Sequence, residues 1–206
     1  MIQSGKASRK GLSRSSSQRF RQPRKPVILI VEGKNTEPAY FDWLKKIGLI
    51  RDDLNLKIEK SGEATSAKNL LTRAERVRKN NPGALICIVL DQDRNSSETL
   101  QALRIWQAQH PIQTRVAISI PKFEIFLIMH FRAVDGLNTP EAIDAAMEII
   151  QPEYKRQKLP KMSGCGVENV YQAIKAASLM SNQLPERNAS DLAQLVEFLI
   201  KKDLKE

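Results

Sequence analysis

Apolar runs and polar interruptions divide the chain into an alternating series. Val27–Val31 (VILIV) and Ala84–Leu90 (ALICIVL) are unbroken apolar stretches, the pattern of strands buried on both faces. Leu54, Leu56 and Ile58 alternate with polar residues and predict a half-exposed strand, and Arg115–Ile120, stopped by Pro121, predicts another. Helical spacing fills the intervals. Thr36 is placed to cap a helix running to about Ile47, with Pro38 tolerated in its first turn and Tyr40, Phe41, Trp43, Leu44 and Ile47 on its apolar face. Further helices are predicted at roughly 65–80, ended by Asn81-Pro82-Gly83, at about 97–109, and over the short apolar stretch Lys122–Phe131.

Beyond Phe131 the periodicity is helical throughout, at roughly 139–150, 166–180 and 189–203, with a loop rich in Lys, Pro and Gly over Gln151–Gly166. No internal repeat is visible. Alternating strands and helices with apolar strands predict an α/β fold: a mostly parallel sheet flanked by helices over 26–131, with a helical extension packed on it over 132–206.

Charge adds a third segment. Residues 1–25 hold eight of the 33 Lys and Arg residues and no acid, which is +8 of the formal net charge of +10. Six serines and few apolar residues share that stretch, so a disordered arm is expected. Such an arm suits nucleic-acid phosphates, with affinity falling as salt rises, and suits a solvated extension equally well. In the remainder, 25 basic residues nearly balance 23 acidic ones. No run approaches the roughly 20 apolar residues that span a bilayer, and the N-terminus lacks the apolar core of a secretory signal, so a cytoplasmic location is expected. Two cysteines and two histidines without CxxC or HxxxH spacing argue against zinc.

In open parallel sheets, function gathers outside the carboxyl ends of the strands. Glu32 directly follows the first apolar strand, Asp91 and Asp93 follow the third, and Glu124 lies four residues beyond Ile120. Four carboxyls are thereby expected on one crevice, and like charges so placed call for a cation. All are oxygen donors with no His or Cys nearby in sequence, so the fitting ion is Mg²⁺, with Mn²⁺ as its substitute. Magnesium held by a few carboxylates keeps positions open for water and phosphate oxygens, the arrangement for phosphoryl transfer or phosphodiester cleavage. Taken singly, each acid is better explained as a cap or loop residue. The Asp91-x-Asp93 pair is more telling, because both side chains can turn toward one ion.

Glu32-Gly33 after the first strand and Asp91-x-Asp93 after a later one resemble the TOPRIM arrangement of topoisomerases, bacterial primases and OLD-type nucleases. More narrowly, the chain resembles the RloB family. The resemblance rests on Val31-Glu32-Gly33-Lys34-Asn35-Thr36-Glu37-Pro38-Ala39-Tyr40-Phe41, on Asp91-Gln92-Asp93, and on Pro121-Lys122-Phe123-Glu124 followed by His130-Phe131. A weaker match is Asn188-Ala189-Ser190 leading into Leu195-Val196, and the whole covers roughly residues 24–200. It implies a TOPRIM-like sheet and a Mg²⁺-dependent nuclease of a phage-defence, abortive-infection type system, acting on RNA or DNA and accompanied by an ATPase partner. By the TOPRIM pattern Glu32 is the general acid/base or a metal ligand, and Asp91 and Asp93 hold the metal. Glu124 joins the metal shell through the RloB block. Val31, Lys122 and Ile125 depart from that pattern, which has Cys, a smaller residue and Trp at these places; the acids are intact.

Other residues weigh less. Lys34, beside the proposed metal, can reach a phosphate oxygen, but the upstream glycine of a Walker A loop is missing. Glu37 is favoured by the helix dipole in a first turn, and is also placed to support the ligands from behind. His130 shares a helical face with Phe123, Phe126 and Leu127 and reads as a buried structural histidine. Trp43 and Trp106 read as packing residues, and Lys155, Arg156, Lys158 and Lys161 as a second phosphate-contacting patch or a solvated loop. The rival function is a nucleic-acid-binding or regulatory subunit of an ATPase-containing defence complex, with vestigial acids. A small-ester phosphatase using Asp91 as nucleophile ranks last.

Overall fold

The computed structural model describes residues 23–60, 66–92, 95–154, 160–183 and 190–201. Most of the basic arm, Asp93, Lys155, Arg156 and Lys158 lie outside the described residues. Four strands, β1 (Lys25–Val31), β2 (Leu54–Lys60), β3 (Leu85–Asp91) and β4 (Thr114–Ser119), form one sheet in the order β2-β1-β3-β4, with every pair parallel. The helices are α1 (Thr36–Lys46), α2 (Ala67–Asn80), α3 (Ser97–Gln109), α4 (Glu124–Ile128), α5 (Pro140–Ile150), α6 (Val167–Gln183) and α7 (Ser190–Leu199). This is the α/β parallel sheet flanked by helices, with helices following it, that the alternation predicts, and it is consistent with the TOPRIM-like fold that the resemblance implies. Among the described residues no helix is long and apolar enough to cross a membrane.

The two continuous apolar runs become the central strands because only a position covered on both sides can bury both sets of side chains. Val27, Leu29, Val31, Leu85, Cys87 and Val89 point into one core with residues of α1, α4, α5, α6 and α7. Ile28, Ile30, Ile86, Ile88 and Leu90 point into the other with Leu70 and Ala74 of α2 and Leu103 and Trp106 of α3. On edge strand β2, Leu54 and Leu56 are buried while Asn55 and Lys57 are exposed, so the alternation reports a one-sided strand. The outer edge of β4 would otherwise offer unpaired backbone groups to another strand. Side chains occupy it: Gln107 Oε1 accepts from Val116 N, Arg104 donates to the Val116 carbonyl, and Asp191 at the start of α7 accepts from Ile118 N.

Three boundaries differ from expectation for local reasons. Ser66, Ser96 and Thr139 cap their helices through side-chain oxygens, but Thr36 does not cap α1. It is the first helical residue, Asn35 makes no side-chain cap bond, and the Thr36 hydroxyl turns instead to Tyr154. The helix expected over 122–131 contracts to α4, because three-residue turns close both ends: Ile125 N to Lys122 O and His130 N to Leu127 O. Finally, α7 stops at Leu199, where Ile200 forms an antiparallel bridge with Ile50 and Lys201 N donates to Leu49 O.

Candidate functional site

The strand order fixes where a crevice opens. From β1 the chain passes through α1 to β2 on one side; from β3 it passes through α3 to β4 on the other. The topological switch therefore lies between the carboxyl ends of β1 and β3, where open α/β sheets place their ligands. Glu32 and Asp91 are the residues at those two ends. Glu32 N donates to Val89 O at 3.0 Å, which carries the ladder one residue past β1 and turns the side chain over β3. Its carboxylate accepts from Asp91 N at 3.0 Å and is approached by Asn95 Nδ2 at 3.4 and 3.5 Å. Asn95 also donates to the Asp91 carbonyl at 2.7 Å, so one amide ties both strand ends together. Glu32 is only 6% exposed.

Asp91 extends the arrangement toward β4. Its Oδ1 accepts from Phe123 N at 2.8 Å, at the threshold of α4, whose first residue is Glu124. Glu124, also 6% exposed, accepts from the Tyr154 hydroxyl at 2.6 Å. Burial first, and then the Glu124 charge, push the Tyr154 pKa far above the ordinary phenol value, so Tyr154 stays a donor to Glu124 and Thr36 donates to it at 3.0 Å. Lys122, 8% exposed, sends its ammonium to Asp144 Oδ1 at 2.7 Å and lies 3.9 Å from Glu124 Oε2. Burial alone lowers a lysine pKa, but the charges of Glu124, Asp144 and Asp91 outweigh it here, and the ammonium is held above its ordinary value.

Glu37 is the surprise of the site. A first-turn acid would face solvent, yet this carboxyl is buried and accepts from Gly33 N at 2.9 Å. It lies so close over the turn that a Cβ on residue 33 would collide with Oε2, which explains the glycine. Burial raises its pKa to about 7; the backbone bonds that favour the ion are outweighed by burial together with the charges of Glu124 and Glu32. The Glu37 carboxyl therefore feels the charges of Glu124 and Glu32, and the Lys122 ammonium feels those of Glu124, Asp144 and Asp91.

Of the sequence-predicted residues, Glu32, Asp91, Glu124 and Glu37 are thus brought to one edge of the sheet. Lys34 stays exposed in the turn and makes no ion pair among the described residues, and Asp93 lies outside them. Lys161, of the proposed basic patch, is exposed and pairs with Glu153 at 3.3 Å. His130 is structural: Nδ1 meets Phe126 O at 2.9 Å, Nε2 meets Tyr40 Oη at 3.2 Å, and burial lowers its pKa to about 4. Phe123, Phe126 and Leu127 are core, and the Trp106 indole donates to Glu75. Sequence reasoning passed over Asn95, Tyr154 and Asp144. Asn95 carried a faint signal, four residues after Asp91; Tyr154 and Asp144 carried none, because their partners lie 30 and 22 residues away.

The donor set suits a hard divalent cation: every candidate ligand is a carboxylate, and crowding among them helps one to keep its proton near neutrality. As the side chains stand, no three His, Cys, Asp or Glu among the described residues surround a common ion position.

Searches of curated proteins and of solved structures gave no match. The family model described as RloB-like protein matches residues 27–199, from β1 through the last residue of α7, and so takes in both strand ends, the α4 turn and Tyr154. The chain belongs to the RloB-like family.

Proposed function

We propose that this chain is a Mg²⁺-dependent nuclease of a phage-defence system, cleaving RNA or DNA phosphodiesters. The observation that carries the reading is the Glu32 carboxylate, buried at the topological switch and fixed by the amide of Asp91, with Glu37 close enough to feel the charges of both Glu32 and Glu124. Family membership supports the defence context; an ATPase partner is part of the proposal.

Asp91 and Glu124, with Asp93, would hold the ion, and Mn²⁺ could replace it. When bound, the ion supplies Lewis-acid polarisation of the phosphate. The chain's own groups supply the remainder. Glu32 handles the proton of the attacking or leaving oxygen, from a position that its two N–H donors keep fixed. Tyr154 orients Glu124 through a 2.6 Å bond. Glu37, its pKa raised to about 7 by burial and by the charges of Glu124 and Glu32, keeps its proton more readily than an ordinary carboxyl and so limits repulsion within the cluster. Lys34, exposed in the Gly33 turn, and the basic arm offer cations to the nucleic-acid backbone.

Glu32→Gln and Asp91→Asn test the reading. Assayed on plasmid, single-stranded DNA and tRNA with Mg²⁺ or Mn²⁺, both variants should lose cleavage while melting like the wild type. Full activity in both would end the proposal.

A further inference from the structure

We infer that a single strand of nucleic acid lies along the groove between α2 and α3, its phosphates on cations of α2 and its bases over an apolar floor. The inference rests on the function proposed above only for what becomes of the strand at the crevice. Charge comes from the sequence of α2. Five of its 14 residues are Lys or Arg and one is Glu, a local +4, whereas residues 26–206 as a whole sum to only +2. Two of the five are already engaged: Arg73 pairs with Glu59 and donates to the Lys60 carbonyl, and Arg78 grips Glu75 through two bonds of 2.8 Å. The other three, Lys68, Arg76 and Lys79, are exposed. With Thr72 they fall at i, i+4, i+8 and i+11, one stripe of the helix about 16 Å long. Lys68 and Arg76 make no ion pair among the described residues, and Lys79 only approaches Glu75, at 3.5 Å, which Arg78 already holds.

Arg76 and Lys79 rim a groove of about 790 Å³, the size of a ligand cleft, whose floor is Leu71 of α2 with Ala102, Ile105 and Trp106 of α3. Ile105 is 51% exposed there. Glu75 also lines the groove, but Arg78 and the Trp106 indole occupy its oxygens; Glu98, the one acid of α3, lies in that helix's first turn and does not line it. An apolar floor beside a cationic rim selects among polyanions. A duplex offers phosphates but keeps its base faces stacked on one another, whereas a single strand offers both phosphates and bases. An acidic amphipathic helix would match the same rim, but the stripe starts at the crevice. Ala67 N, at the first residue of α2, donates to Asn95 Oδ1 at 3.1 Å, and the same Asn95 donates to the Asp91 carbonyl and approaches Glu32. The cations therefore lead away from the carboxyl ends of β1 and β3, along the line that a strand threaded into the crevice would take.

The test is binding of fluorescent single-stranded RNA and DNA, and of the matching duplexes, to the full chain in EDTA, followed by anisotropy across a salt series. The triple variant Lys68→Gln, Arg76→Gln, Lys79→Gln should reduce the salt slope for single strands by about 2, and the affinity at about 0.1 M salt roughly 100-fold. Lys45→Gln, Lys46→Gln, Lys175→Gln removes as much charge from α1 and α6, on the opposite side of the sheet, and should leave the slope unchanged. Ile105→Ser should cost a single strand about fivefold at an unchanged slope and leave a duplex unaffected. All seven side chains are exposed, so the variants should fold. Equal losses in the two triple variants overturn the inference, and so does duplex binding that needs the α2 stripe as much as single-strand binding does. Protection of Lys68 and Lys79 from acetylation by a Glu/Leu amphipathic peptide, and by no oligonucleotide, makes the groove a protein-docking surface and also overturns it. Stripe-dependent binding of a single strand that the wild type never cleaves with Mg²⁺ or Mn²⁺ upholds the inference and defeats the nuclease reading. Cleavage and binding at the wild-type level in the α2 variant do the reverse.

Discussion

Glu37→Gln isolates the electrostatics of the site from its chemistry. Gln is nearly the shape of a protonated Glu and still offers Oε1 to the Gly33 amide, now 2.9 Å away, so the turn survives. Ionisation is what disappears. The Glu37 carboxyl titrates at about 7 in the folded chain against an ordinary 4.5, because burial and the neighbouring Glu124 and Glu32 charges oppose the ion. A carboxyl whose folded pKa is raised gives its full stability below the unfolded pKa and loses it as pH rises through the folded one. Wild-type stability should therefore fall between about pH 4.5 and 8. At about 1.4 kcal/mol per tenfold change in proton affinity, the loss from this group is about 3 kcal/mol.

Glu37→Gln lacks that loss. Its advantage over the wild type should grow by about 3 kcal/mol between pH 4.5 and 8, or roughly 6–12 °C of Tm for a chain of this size. Urea unfolding in EDTA measures it, since a bound divalent ion would favour the carboxylate. His130 titrates in the opposite sense: its lowered pKa removes stability as pH falls from 6.5 toward about 4. Because His130 is present in both chains, the difference between them reports Glu37 alone. A difference constant across this range, or one shrinking toward high pH, would refute the buried, charge-crowded carboxyl on which the site's electrostatics depend.

Gly33→Ala should drive the Glu37 carboxyl off the turn, because the new Cβ meets Oε2. The lost hydrogen bond costs roughly 1–3 kcal/mol, and the pH dependence assigned to Glu37 should shrink with it; an unchanged pH profile would show that the carboxyl does not lie over Gly33. Tyr154→Phe removes the 2.6 Å bond to Glu124 and the Thr36 contact, for about 2 kcal/mol in urea unfolding. No loss there would mean that Tyr154 does not hold Glu124.

How much of this was legible depended on how far apart in sequence the interacting groups lie. The β1 and β3 runs announced central strands because burial on both faces leaves no polar position, and Leu54 and Leu56 announced an edge because burial on one face leaves every second position polar. Parallel topology then carried Glu32, Asp91 and Glu124 to one edge without further information. Helix ends were less legible. Thr36 has the right chemistry for a cap, and only the fold reveals that its hydroxyl is claimed by a tyrosine 118 residues away. Likewise α7 ends where it does because Ile200 pairs with Ile50, a choice made by a distant strand-like segment.

The site followed the same rule. Its acids were readable because each sits at a strand end or a helix start, positions that sequence pattern marks. What holds and balances them was not. Glu37 was readable as a first-turn dipole partner or as a support behind the ligands, but not as a carboxyl whose burial raises its pKa to about 7. Lys122 stood out only as a departure from a family pattern, and its partner Asp144 comes from α5. Tyr154 comes from just beyond α5, outside the stretch in which the sheet is built. The helices after the sheet thus do more than cover one face of it. They supply the hydrogen bond that aims Glu124 and the carboxylate that anchors Lys122, so a chain cut after Phe131 would keep Glu32, Asp91 and Glu124 but lose the groups that orient and neutralise them.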